Sequence, residues 1–296
     1  MKKDIIDQPV KCKPYLKETV WAGKRLGNRY GSAKIGEAYL LSAVQGQASS
    51  TQEGSSFFTY LEQSHRDPEK FPLLIKAIDA AEPLSVQVHP GDAAAQKVGG
   101  RGKHELWIID RCREDAAVFV GFREDVSVLD IVRRCADGTV LSLLNRISVS
   151  GGEVIFVPAG TVHAIGGGVS LYEVQQNADV TYRLYDYGRG RATQLEQALA
   201  VLKLKGTTPV KTILENGPLF EKEEGFPFVI DHCCFLGDVC CAAREDAAVL
   251  FLSGCGRFSA TGCQWDYAAG DCFFIPQNSR FTLFGQGEAL HIAAKG

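Results

Sequence analysis

The chain has almost no surplus of charge: Lys and Arg number 32 against 35 Asp and Glu, for a net charge of −3. Nothing global therefore favours nucleic acid or an anionic membrane surface, and any basic groups that hold an anionic ligand must be local. Long apolar runs are missing; none approaches the ~20 residues of a membrane span. The opening Met1–Pro9 carries acids and a proline where a secretory signal needs an apolar stretch, so a cytoplasmic location is expected. No Gly-x-Gly-x-x-Gly follows a strand-like run and no phosphate-loop lysine motif occurs, which removes the common nucleotide cradles. The 10 cysteines match neither a Cys-x-x-Cys nor a zinc-ribbon spacing. Two adjacent pairs, Cys233-Cys234 and Cys240-Cys241, would point to opposite faces of a strand. Reduced thiols serving as small core or surface residues are expected.

What is present is β-type sequence. The length of 296 residues suggests about two domains, and 45% apolar with 23% charged residues is ordinary for a globular protein. Short runs such as Leu84–Val88, Glu105–Ile109, Ala117–Val120, Val154–Val157, Val169–Val174, Ala248–Leu252 and Cys272–Ile275 alternate with glycine-rich turns. That punctuation predicts barrels or sandwiches rather than βαβ units. Helical spacing occurs at Asp67–Lys70, with Asp67 as cap and Pro68 first, at Ser127–Arg134, and at Thr193–Leu202. The last two are expected to pack together beside the first barrel. Lys205–Pro218, rich in Gly and Pro, reads as a linker.

One phrase occurs twice. Gly152-Glu-Val-Ile-Phe-Val-Pro158-Ala-Gly160-Thr-Val-His163 is matched by Gly270-Asp-Cys-Phe-Phe-Ile-Pro276-Gln-Asn278-Ser-Arg-Phe281. In each, a glycine turn feeds a strand that a proline closes. Only the first copy ends in a metal-binding side chain, because Phe281 stands where the other has His163. The expected architecture is mainly β: two related barrels, one with a site and one without.

The candidate chemistry lies in the first. Gln87-Val-His89 alternates, so Gln87 and His89 share a strand face; Lys103-His-Glu105 does the same for Lys103 and Glu105. A catalytic divalent metal needs two or three fixed N/O ligands and an open position, and His89, Glu105 and His163 supply that number. His65, His104, His232 and His291 read as structural or solvated.

These segments resemble type I mannose-6-phosphate isomerases (phosphomannose isomerases) of the short bacterial kind, a cupin family. The resemblance is carried by Phe71–Asp79, by Leu84-Ser85-Val-Gln87-Val-His89-Pro90 and by Gly102-Lys103-His-Glu105-Leu-Trp107. It continues in Leu144-Asn145-Arg146, Val157–Gly166 and Tyr172–Arg189, and the opening Lys13–Glu18 and Trp21-x-Gly23 also fit. It implies two cupin (jelly-roll) barrels with a small helical element beside the N-terminal one. The expected division is a catalytic domain over 1–205 and a degenerate cupin over 206–296. It further implies a zinc-dependent aldose–ketose isomerase acting on mannose 6-phosphate and fructose 6-phosphate, with one Zn²⁺ per chain. His89, Glu105 and His163 correspond to metal ligands, with Gln87 a further ligand or close neighbour. Arg183 corresponds to the catalytic arginine, Lys103 and Glu173 to substrate-facing catalytic positions, and Ser85 and Lys76 to the pocket and its phosphate end. The group that moves the proton stays open among Glu173, Lys103 and a metal-bound water.

The chemistry is coherent with those residues. Isomerisation passes through an enediol(ate), whose growing negative charge a metal and a fixed guanidinium can stabilise. The chain departs from the family at Tyr39 within Gly36–Ser42, at Gly91-Asp92, and at His104 within Lys103-His-Glu105. These bear on pocket-wall shape and substrate preference, not on the ligands or Arg183. Two rival readings are an Fe(II) cupin oxygenase, which uses the same two-His-one-carboxylate set, and a non-catalytic sugar-phosphate-binding cupin. The basic residues Lys76, Lys103 and Arg183 favour a phosphorylated small-molecule substrate over the former. No nucleic-acid or membrane partner is expected.

Overall fold

The computed structural model describes residues 8–32, 34–98, 100–220 and 225–295. Most of the Met1–Pro9 segment therefore lies outside the described residues, as do residues 221–224 near the expected start of the second barrel. The chain is mainly β, in antiparallel sheets, with a few short helices. No helix among the described residues is long and apolar enough to cross a membrane.

The chain forms two compact units that are interleaved in sequence. One gathers the residues up to Leu16, Tyr39–Lys76 and Leu214 onward; the other takes Lys17–Ala38 and Ala77–Ile213. The sheet pairing within each unit joins segments that are distant in sequence.

The first unit is built on a sheet of eight strands. Its order runs Gly217–Pro218, Phe228–Ala242, Arg280–Ala294, Ala247–Ala260, Cys272–Ile275, Val10–Lys13 and Ser50–Thr51, with Cys263–Ala268 beside Ala247–Ala260. Val10 pairs with Phe274 and Cys12 with Cys272. Alternating aromatic residues fill its interior: Phe258 stacks on Phe273 at 4.6 Å and on Phe281 at 4.8 Å. A helix over Phe57–Gln63 buries Phe57, Tyr60 and Leu61, and its Ser56 cap accepts from Phe58 N–H. This helix was not anticipated. The sequence signal was there, in a serine cap followed by apolar residues at helical spacing.

The second unit holds two sheets. One places Val210–Ile213, Glu153–Val157, Glu105–Cys112 and Val169–Gln176 side by side. The other runs Tyr182–Tyr185, Val86–Val88, His163–Ile165, Ala117–Phe122 and Leu144–Ser148. Trp107, Ile109, Val118, Val120, Ile155 and Leu171 belong to one buried apolar cluster. The helices expected near 127–134 and 193–202 are found at Val128–Ala136 and Leu195–Val201, the first capped by Ser127. Ile131 and Ala198 share a core cluster with Val86, Val88, Val162 and Leu184. Asp67 caps the short 3₁₀ turn Pro68–Lys70 as expected.

The linker reading of 205–218 is corrected by the structure. Val210–Ile213 pairs in register with Glu153–Phe156, and Gly217–Pro218 with Asp231–His232. Gly and Pro mark the turns around these edge strands rather than a free tether. All ten cysteines are free thiols.

The repeated phrase is matched in backbone geometry. Gly152 (φ 85°) and Gly270 (φ 82°) open their strands in the left-handed region, and Gly160 (φ 81°) and Asn278 (φ 64°) occupy it again after the proline. Asparagine is among the few L-residues that adopt this conformation readily, so the turn survives the loss of glycine. Of the two terminal side chains, His163 starts a strand in the second unit, and Phe281 is buried in the aromatic core of the first.

Candidate active site

Two rows of side chains define the site. On the first sheet, Glu105 pairs with Gln175 and Trp107 with Glu173, so these four share one face. On the second, Arg183 pairs with Gln87, and Gln87 with His163. His89 follows the strand Val86–Val88, and its carbonyl accepts from Gly160 N–H at 2.8 Å, which ties it to the turn that precedes His163. Gly102 N–H donates to Asp92 and Lys103 N–H to the Pro90 carbonyl, so the approach to Glu105 is pinned beside His89.

His89, Glu105 and His163 are each fully buried, and one donor atom from each lies within 4.8 Å of the others. Oε1 of Glu105 is 2.9 Å from Nε2 of His89, and Oε2 is 3.6 Å from Nε2 of His163. Both imidazoles have their other nitrogen fixed. Nδ1 of His89 is 2.8 Å from the Val180 carbonyl and Nδ1 of His163 is 2.9 Å from the Thr161 carbonyl. A carbonyl only accepts, so each Nδ1 carries the hydrogen and each neutral ring presents a lone pair at Nε2. Burial, with Lys103 adding to it, drives the His89 pKa down to about 3, and burial also lowers His163. Burial works against ionisation of Glu105, but its charged surroundings, the Lys103 ammonium foremost, hold the carboxyl well below its usual range. Two imidazole lone pairs and a carboxylate facing one another require a cation among them. The Lys103 ammonium supplies one, 2.6 Å from Glu105 and 3.1 Å from His89. The same donor set is what a divalent metal takes, so the residues present fit a metal ion.

The other candidates differ in how closely they join this group. The Gln87 amide lies 3.2 Å from Nε2 of His163, and Ser85 Oγ donates to Gln87 Oε1 at 3.5 Å. Glu173 is buried and reaches the cluster through the Trp107 indole, which donates to both Glu173 and Glu105. Arg183 stands in register with Gln87, two strand spacings or roughly 10 Å from His163. Its guanidinium donates to the Ala192 carbonyl at 2.8 Å, and its buried Nε has no hydrogen-bond partner among the described residues. Asp186, a conceivable structural partner of Arg183, is hydrogen-bonded by Arg189 and Arg191. Lys76 is buried in the first unit, its ammonium 4.6 Å above the Tyr39 ring. His104 turns away from Glu105: its Nδ1 accepts from Ala159 N–H, and its ring stacks on Phe156.

The sequence reading gives Trp107 no site role. Its donor role was legible in principle, since a buried indole N–H nearly always finds an acceptor and Glu105 lies two residues before it on the same face. Gln175, the cross-strand neighbour of Glu105, was also missed; it is fully buried, and its Oε1 accepts no hydrogen bond among the described residues.

The catalytic-domain model of type I phosphomannose isomerase matches residues 10–111. The mannose-6-phosphate isomerase ManA of Bacillus subtilis is 39% identical over 309 aligned positions, which cover 96% of this chain and 98% of that protein. The chain belongs to the mannose-6-phosphate isomerase family. A second relative, the mannose-6-phosphate isomerase of Streptococcus mutans, is 34% identical over 72% of this chain and 77% of its own length. Among solved structures, the Bacillus subtilis mannose 6-phosphate isomerase superposes with a TM-score of 0.82 at 27% identity, covering 97% of this chain and 99% of that one. The catalytic-domain match takes in His89, Lys103 and Glu105, while His163, Glu173 and Arg183 fall within the longer similarity to the family member ManA.

Proposed function

We propose that this protein interconverts mannose 6-phosphate and fructose 6-phosphate through an enediol(ate), using one zinc ion held by His89, Glu105 and His163. The observation that carries this reading is the mutual facing of two lone-pair imidazoles and a carboxylate in a chain of this family. When bound by these three residues, the metal would supply Lewis acidity to stabilise the oxygen charge that grows in the transition state. Two neutral imidazoles and one carboxylate leave that centre net positive, which suits an anionic substrate.

The chain's own groups carry the proton. An aldose becomes a ketose when the hydrogen on C2 is delivered to C1 and a hydroxyl proton passes from O2 to O1, so atoms balance without an external reductant. Glu173 is assigned the C–H proton, because a carboxylate can act as a base and this one is tied to the metal-binding group through Trp107. Lys103, a buried ammonium beside Glu105, is assigned the donation to oxygen. Arg183 offers a rigid fork of donors that cannot deprotonate, suited to enediolate or phosphate oxygens. Gln87 orients His163 and, with Ser85, lines the substrate side, and Lys76 is assigned to the phosphate end.

The proposed architecture is two cupin barrels, a catalytic one within 1–205 and a structural one within 206–296, in a cytoplasmic enzyme. The repeated phrase with its paired left-handed turns supports the duplication. The test is direct. Purified protein is analysed for bound metal and assayed with mannose 6-phosphate by coupled detection of fructose 6-phosphate. Stoichiometric zinc with turnover that a chelator abolishes is the expected result; turnover unaffected by complete metal removal would overturn it.

A further inference from the structure

The Trp107 indole has one N–H hydrogen and two carboxylate acceptors. Nε1 lies 3.2 Å from Oε2 of Glu105 and 3.2 Å from Oε2 of Glu173. The ring is fully buried, and it meets the His163 imidazole edge-on at 5.5 Å and 74°. Backbone register fixes the whole arrangement: Trp107 follows Glu105 by two positions on the same strand face, and Glu173 is its cross-strand partner.

We infer that Trp107 is a positioning residue whose single N–H holds Glu173 at a set distance from the Glu105 metal-binding group. The inference rests on the isomerase reading above. Two carboxyl groups placed side by side in a dry site need donors to satisfy their oxygens. The shared N–H is such a donor, and it adds no net charge that would compete with a metal for Glu105. Any buried indole N–H needs an acceptor, and a backbone carbonyl would serve a ring that only packs; here both acceptors are carboxylates of the candidate site. A donor to a ligand carboxylate belongs to the outer shell of a metal site, where loss of one partner commonly costs 10–100-fold in affinity or activity.

The experiment uses the full-length, metal-loaded protein and the variant Trp107→Phe, which keeps an aromatic ring and removes the donor. Expected are a kcat lower by roughly 10–100-fold, a KM within about threefold, and zinc affinity of the chelator-treated protein weaker by roughly tenfold in competition with a chelating dye. In a Glu173→Gln background, Trp107→Phe should lower kcat by less than about threefold further, since one residue acts through the other. Unchanged zinc affinity, or a kcat loss that multiplies in full with that of Glu173→Gln, would overturn the inference. Should Trp107→Phe not fold, the indole N–H proton of Trp107 is read by NMR in the parent and in Glu173→Gln. Weakening the charge-assisted bond should move it upfield, and an unmoved resonance would refute the shared contact. The affinity and resonance readings need no turnover, so failure of the isomerase assignment would be seen separately.

Discussion

The Lys103 ammonium stands 2.6 Å from Oε1 of Glu105 and 3.1 Å from Nε2 of His89. All three groups are almost completely buried, so the lysine balances a carboxylate that water cannot reach. A divalent metal at the same donors would take over that balance. Lysine and metal are therefore alternative cations for one set of lone pairs.

Lys103→Met should accordingly destabilise the chelator-treated protein by about 3–5 kcal/mol, because it strands a buried charge. Zinc should restore most of the loss, giving a larger metal-induced rise in Tm than in the parent. Turnover should stay low with zinc bound. Thermal melts with and without zinc check this, and an equal metal response in both proteins would contradict the shared-donor picture.

Acid should weaken the metal-free protein in a defined window. His89 is depressed from its usual 6.5 to about 3, so between those values the unfolded chain binds a proton that the folded chain does not. Stability is then present above about pH 6.5 and falls as pH drops, by ~1.4 kcal/mol per pH unit for each such group. His163 is shifted the same way. Glu105, also depressed, adds a loss of the same sign at lower pH, below its ordinary value of 4.5. Urea unfolding of chelator-treated protein at pH 7.5, 6 and 5 should give steadily falling midpoints.

Arg183→Ala should keep its zinc and lose most turnover, by roughly 100-fold or more if the guanidinium meets developing charge. Arg183→Lys should recover only a fraction, because a point charge does not reproduce the fork of donors. Metal content and coupled-assay kcat measured on the same samples separate this from loss of the metal centre.

Gly23 carries a steric constraint of another kind. A Cβ there would stand 2.3 Å from Oδ2 of Asp79, a carboxylate that accepts from Arg25 N–H and Ser170 Oγ–H. Gly23→Ala should cost about 1–3 kcal/mol by overpacking, measured as a lower urea midpoint with zinc stoichiometry unchanged.

Much of this arrangement is legible in local sequence, because the alternation expected of a strand brings Lys103 and Glu105 together, although Lys103 and His89 lie just outside the strands Glu105–Cys112 and Val86–Val88. The repeated Gly-x5-Pro phrase likewise locates His163 at a strand start, and Phe281 as its apolar counterpart. Pairing between distant strands is not legible, since no local pattern says that Val10 will lie against Phe274. The same gap hid the partnership of Trp107 with Glu173 and made Val210–Ile213 look like a tether, although it is an edge strand against Glu153–Phe156. Lys76 illustrates the limit most plainly. The family resemblance points to it as a phosphate-end residue, but sequence does not tell that it lies over Tyr39 in the interleaved first unit.

The strand Val10–Lys13 pairs along one edge with Cys272–Ile275, far later in the chain. During synthesis that edge must wait for the much later segment, with only the short Ser50–Thr51 strand beside it on the other side. Its exposed edge is then open to wrong partners, so productive maturation should depend on how quickly the late segment arrives and on chaperones that shield the early one.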